Sequence, residues 1–360
     1  MRSLMNWKYS SRINRLWLLA WLVGGVTVLA GWAVAADPAA DAKDKAQAKP
    51  AAAKAAKPLP KGVRVERDIQ YVPGGDEAQR LDLYLPEQPA DHPLPLVINI
   101  HGGGWRGGSK GGHPTMGLVA KGGYAAASIE YRFSQKALFP AQIQDCQAAI
   151  RWLRANSKKY NFDPDHFGVI GSSAGGHLCA LVGTSGGKKA FAPVGGNEEQ
   201  SDRVQAVCDF YGPADFNTVM QQAADDKNVR NIFKFNTPGD PYSCLIGVSL
   251  NSDKEKGEAV SPVHFVSKDN PPFLILHGTF DKLVPYAQSL ELVDALKAKG
   301  VKVLLQTLPG SGHGGPMFGK PEVHALIESF FDKHLKGSST KVELVPEADL
   351  AVQPAPTPEK

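Results

Sequence analysis

The chain has 360 residues, 42% hydrophobic and 21% charged, which excludes a collagenous or wholly disordered protein and suits one large or two small α/β units. Its formal net charge of +4 is unevenly placed: residues 1–61 carry ten Lys/Arg against three Asp, so the remainder is slightly acidic and no nucleic-acid partner is expected.

Taken in chain order, Arg2, Lys8, Arg12 and Arg15 precede an uncharged run from Leu16 to Ala36 containing the small-residue pattern Ala33-Val34-Ala35. Basic, apolar and small residues in that order read as a secretory signal peptide over 1–36. About twenty apolar residues can also span a bilayer, so a retained anchor is the alternative, and a membrane partner is expected only then. Both readings place the folded part outside the cytoplasm, periplasmic or secreted. Residues 37–61 are almost entirely Ala, Lys, Asp and Pro, with no core to bury, and read as a disordered linker.

The folded domain is expected over 62–336. "VRVERDIQYV" and "RLDLYL" alternate apolar and polar residues, as two antiparallel edge strands would. "PLVINI", "YAAASIEY", "FGVIG", "VQAVCDFYG", "PFLILHG" and "VKVLLQTL" are short apolar runs of the kind found in parallel strands covered on both faces. Helical stretches fall between and after them, at 140–160, 174–185, 285–300 and 320–335. The alternation predicts a mostly parallel, eight-stranded sheet flanked by helices, an α/β fold. Residues 212–264 are polar and turn-rich and read as an insertion after the sixth strand. The Pro-rich residues 337–360 read as a disordered tail. Cys146, Cys179, Cys208 and Cys244 allow three disulfide pairings or none, and no Cys/His cluster suggests a metal.

The chemistry begins at "VIGSSAGGH". Gly171, Ser172, Ser173, Ala174 and Gly175 form G-x-S-x-G between a strand and a helix. So sharp a reversal leaves no room for side chains beside the central residue, whose hydroxyl is exposed at the top of the sheet. Ser173, not Ser172, holds that position. Upstream, "HGGGW" follows the third strand, and successive glycines let backbone N–H groups face a bound oxygen. The oxyanion donors predicted are Gly103, Gly104 and Ala174, each preorganised donor worth roughly 2.7–4 kcal/mol of barrier. A phosphate cradle is the competing reading, but the Gly-Lys-Ser/Thr ending of a P-loop is absent.

A serine nucleophile needs a base, and the base an orienting carboxylate, in the chain order Ser, acid, His. Asp281 in "HGTFDKLVP" and His313 in "PGSGHGG" each follow an apolar strand and complete the set. Asp215 in "YGPADF" is a rival acid. His277 is out of order, His324 and His334 lie within the last helix, and His101 reads as structural. Trp105 is the candidate substrate contact, with Phe318 a second possibility. No cofactor is needed by this chemistry.

These motifs resemble those of α/β-hydrolases, in particular hormone-sensitive-lipase-like esterases and, more closely, the bacterial feruloyl-esterase-like and carboxylesterase members. "EYRFS", "FPAQIQDCQAAIRWLRAN", "GSSAGGHL", "YGPADF" and "HGTFDKLVP" carry the resemblance over nearly the whole domain. It implies a serine carboxylic ester hydrolase with Ser173, Asp281 and His313 as triad, and Glu130, Tyr131 and Arg132 as a brace. The chain departs in two places: Ser172 stands where lipase-type members have Asp, and residues 37–61 are low-complexity where those members carry an N-terminal helical cap. The expected partner is a small-molecule or polysaccharide-linked ester. An acetyl- or feruloyl-esterase acting on polysaccharide is the narrower reading. A prolyl-oligopeptidase-type peptidase and a non-catalytic hydrolase-fold binding protein are the alternatives.

Overall fold

A computed structural model describes residues 59–111, 115–227, 229 and 231–350, without the side chain of Met116; the predicted leader, most of the linker and the last ten residues lie outside the described residues. The elements run β1 (Val63–Gln70), β2 (Arg80–Pro86), β3 (Leu94–Ile100), α1 (Met116–Ala120), β4 (Ala125–Ile129), α2 (Ala141–Ala155) and α3 (Ser157–Tyr160). They continue through β5 (Phe162–Ser172), α4 (Ala174–Ser185), β6 (Ala206–Phe210), α5 (Val219–Asp225), α6 (Pro241–Ile246), α7 (Lys254–Val260) and β7 (Phe273–Gly278). The last are α8 (Tyr286–Ala298), β8 (Val303–Leu308), α9 (Pro321–Leu335) and α10 (Glu347–Leu350).

The eight described strands form one sheet in the order β1-β2-β4-β3-β5-β6-β7-β8. β2 is antiparallel to both β1 and β4, and every other neighbouring pair is parallel. Successive residues of each strand face opposite layers, so a continuous apolar run feeds two cores at once. Ile98, Val169, Val207 and Ile275 enter the core shared with α2, α4 and α8. Val97, Ile170, Cys208 and Leu274 enter the one capped by Phe330 and Phe331 of α9. Each large apolar side chain so buried contributes about 1.5–3 kcal/mol. Because β3 and β5–β8 are parallel, the loops after them all emerge at one edge, and that edge carries the site.

The structure corrects two sequence expectations. β2 is no edge strand: it lies between β1 and β4 and is buried along its centre, its Asp82 paired with Arg67 and Lys110. The supposed tail is docked as far as Leu350. Val345 N donates to Gln306 Oε1 at 2.7 Å, Gln306 Nε2 donates back to Val345 O at 3.2 Å, and Val345 and Leu350 are buried in the α9-side core. A buried glutamine on β8 needs polar partners, and the tail backbone supplies them. The insertion after β6 is present and carries α5, α6 and α7. All four cysteines are free thiols, and burial pushes those of Cys146, Cys179 and Cys208 well up.

Candidate active site

Ser173 joins β5 to α4 with φ 57° and ψ −123°, a conformation a non-glycine residue adopts at a cost of about 1–3 kcal/mol. The packing behind it enforces that shape. A Cβ on Gly175 would come within 2.0 Å of Ile100 O, and one on Gly171 within 2.6 Å of the same oxygen. Ser173 N donates to Phe210 O at 2.9 Å, which pins the turn to the end of β6. From Ala174 the chain is a twelve-residue helix whose first N–H groups have no intrahelical acceptor.

The glycine loop after β3 passes directly over this turn: a Cβ on Gly102 would stand 3.3 Å from Ser173 Cβ. Gly103 has φ 119°, and its carbonyl accepts the N–H groups of Arg106 and Gly107, so the loop coils on itself. Among the described residues, no protein acceptor takes the N–H groups of Gly103, Gly104 or Ala174. His101 is structural, as expected. Its ring stacks on Tyr131 at 4.5 Å between centroids and bonds Gly102 O and Glu130 Oε2. Arg132 forks onto Asp145 of α2 beside it.

Asp281 and His313 meet directly, Nδ1 to Oδ2 at 2.6 Å. Asp281 Oδ1 accepts from Leu283 N and Val284 N at 2.8 and 3.0 Å. Oδ2 also receives His277 Nε2 at 3.2 Å. Burial works to raise the Asp281 pKa, but the hydrogen bonds and attraction of His277 and His313 outweigh it and hold the carboxyl well below the usual range. An ionised Asp281 keeps the imidazole proton on Nδ1 and leaves Nε2 with a free lone pair. The Tyr211 ring packs on His313 at 4.5 Å between centroids. The Ser173 hydroxyl and the imidazole are not hydrogen-bonded in this conformation. Such contacts are commonly long in unliganded hydrolases and tighten with substrate.

Three side chains stand otherwise than the sequence suggested. Trp105 is only 2% exposed and does not line the cleft. Its indole packs among Phe216, Tyr242 and His177 and donates to His177 Nδ1 at 3.2 Å. His177 Nε2 in turn donates to Val260 O at 2.7 Å, so Trp105 ties the glycine loop through α4 to α7 of the insertion. Burial lowers the His177 pKa to about 4, only partly offset by that bond, and keeps this link neutral. His277, set aside on chain order, clamps the acid; its i, i+4 spacing to Asp281 in "HGTFD" was the available signal. Asp215, the rival acid, bonds Asn217 N, Ser261 and His264 instead. Tyr211 opens the motif "YGPADF", but that motif gives it no role of its own.

A three-layered, mostly parallel sheet with a strained serine after β5 and an Asp–His pair after β7 and β8 defines an α/β-hydrolase. A model of the BD-FAE family matches residues 81–296, and the chain belongs to that family. It is similar to the probable carboxylic ester hydrolase LipM of Mycobacterium tuberculosis, 33% identical over 70% of this chain and 56% of the relative. Its fold is similar to a truncated carbohydrate esterase from gut microbiota, with a TM-score of 0.68, 31% identity, and coverage of 76% of this chain and 96% of that one. An acetyl ester-xyloside bifunctional hydrolase from Caldicellulosiruptor lactoaceticus follows at TM-score 0.55 and 28% identity, with 72% and 86% covered. The chain spans little more than half the length of the curated relatives it matches.

Proposed function

We propose that this chain is a serine-dependent carboxylic ester hydrolase working through an acyl-enzyme, with Ser173 as nucleophile, His313 as general base and acid, and Asp281 as its orienting carboxylate. The 2.6 Å bond between His313 and Asp281, on the edge where Ser173 is held at φ 57°, carries the reading. His313 Nε2 takes the Ser173 proton as Oγ attacks the ester carbonyl. The N–H groups of Gly103, Gly104 and Ala174, free of protein acceptors, receive the oxyanion. His313 then protonates the departing alkoxide, and a water activated by the same nitrogen releases the acid. The glycine loop and elbow supply the geometry, while Asp281 stabilises the imidazolium that forms at each step.

Esters on carbohydrate are the substrate class we favour. The support is the likeness to a carbohydrate esterase and to an acetyl ester-xyloside hydrolase, together with the export leader expected from the sequence of residues 1–36. Ser173→Ala is expected to lower kcat on p-nitrophenyl acetate by roughly 10⁴-fold or more, with an unchanged circular-dichroism spectrum. Undiminished turnover by that variant rejects the nucleophile. Release of acetate from acetylated xylo-oligosaccharides, with none of amine from a peptide p-nitroanilide, separates esterase from peptidase.

A further inference from the structure

Directly under the nucleophile turn, on the α9 side of the sheet, lies a cavity of about 270 Å³. Ile170, Phe210, Tyr211, Phe318 and Ile327 line it, with Asn99, Ser172 and His324 as its polar side chains. Most of that lining is apolar or aromatic, the usual make-up of a pocket for an organic group. Two of these residues adjoin the proposed triad without belonging to it. Ser172 precedes Ser173 in the chain, and the Tyr211 ring packs on His313, which does not line the cavity. One aromatic ring therefore stands between the reacting edge and this space.

That ring is held in place from several sides. Tyr211 has φ 45°, a strained value for a bulky residue, at the point where β6 gives way to the insertion. Its N–H donates to Leu276 O at 2.9 Å, its ring meets Phe318 edge-on at 5.0 Å between centroids, and Ser172 shares the cavity wall with it. Strain maintained by so many contacts marks a functional position more often than an accidental one.

We propose that Tyr211 is a specificity-determining wall that closes the catalytic edge off from the cavity beneath it and so limits the length of the acyl group accepted. The acyl group is the part of the ester that stays bonded to Ser173 through the acyl-enzyme, so it needs room beside that residue, and the space nearest to hand begins at Ser172. Removing the ring joins that space to the edge and lets an apolar chain descend between β5 and α9. The inference rests on the reading of Ser173 as nucleophile.

The test is the ratio of kcat/KM for p-nitrophenyl octanoate to that for the acetate, which cancels any general loss from a less well-held His313. Tyr211→Ala is expected to raise this ratio about ten-fold or more, as several newly buried methylenes would. Adding Ile327→Phe, which fills the cavity from α9, is expected to return it to the wild-type value. Ser172→Ala, which trims the cavity wall beside Tyr211 without touching the core, is expected to raise the ratio about three-fold by loosening the wall. If Tyr211→Ala does not fold, the Ser172→Ala result decides. An unchanged ratio in the folded variants, or a gain that survives the filled cavity, overturns the wall. An active Ser173→Ala rejects the nucleophile itself, whereas an inactive one beside an unchanged ratio rejects only this proposal.

Discussion

Two aspartates at neighbouring strand ends are equally hidden from solvent, Asp209 on β6 at 1% and Asp281 after β7 at 3% exposure, yet they titrate in opposite directions. Asp281 is surrounded by donors: two backbone N–H groups on one oxygen, two histidines on the other. Among the described residues Asp209 has one, Gly212 N at 2.9 Å on Oδ1, and its Oδ2 has none. Burial therefore raises the Asp209 pKa to about 7, the Gly212 bond only partly opposing it, while Asp281 stays charged. Burial is common to both sites, so the number of donors, not depth, decides which aspartate keeps its proton. The charged one can stabilise an imidazolium. The protonated one sits under the elbow, where a Cβ on Gly176 would meet its Oδ1 at 2.2 Å, and serves packing.

The largest effect should come from removing the charge at the one with more donors, Asp281. Asp281→Asn keeps the shape and the bonds from Leu283 and Val284 but no longer fixes the proton on His313 Nδ1. A fall in kcat of roughly 10⁴-fold, with KM little changed, is expected in steady-state kinetics on p-nitrophenyl acetate. A loss under about ten-fold would mean that the carboxylate only packs, as Asp209 does.

Next in size is the matching change on the other side. With a folded pKa of about 7 against an unfolded value near 3.8, Asp209 holds its proton in the native state while the unfolded chain has lost it. Stability is therefore lost as pH rises from about 4 to about 7, by an amount on the order of a few kcal/mol, and levels off above. Asp209→Asn lacks that term. Its melting temperature relative to wild type should rise between pH 5 and pH 8, by several degrees. A difference that stays flat or falls with pH would show that Asp209 is ionised in the fold.

The reasons some of this was legible in the sequence lie in the same residues. Ser173, Asp281, His313 and the glycine loop sit in short motifs because backbone turns and hydrogen-bond order constrain neighbours along the chain. The parallel strands were legible because burial on both faces demands unbroken apolar runs such as "FLILHG". What sequence hid depends on partners far away in the chain. Trp105 looks like a cleft residue until His177 of α4 and Tyr242 of α6 close over it. Tyr211 gains its place only when Phe318 and His313 arrive from a hundred residues downstream. The docked tail was illegible for the same reason: small polar and charged residues interrupt 337–350, and the two apolar residues that matter, Val345 and Leu350, find their surface on α9 and β8.

The smallest effect tests whether the two aspartates are as independent of the rest of the sheet as their contacts imply. Gln306 on β8 exchanges two hydrogen bonds with Val345, so Gln306→Ala should loosen the tail and cost about 1–2 kcal/mol in urea unfolding, with kcat unchanged. Asp209 faces Ile275 of β7 in register, and the neighbouring pair Leu276↔Gln306 places Gln306 one strand further on. Two strand spacings separate the backbones by roughly 10 Å, at the limit beyond which substitutions add. The double variant Asp209→Asn, Gln306→Ala should therefore keep the full pH-dependent gain of Asp209→Asn, displaced by the Gln306→Ala cost at every pH. A gain that shrinks when the tail is loosened would tie the Asp209 proton to strand β8, and the contrast with Asp281 would no longer be a matter of local donors.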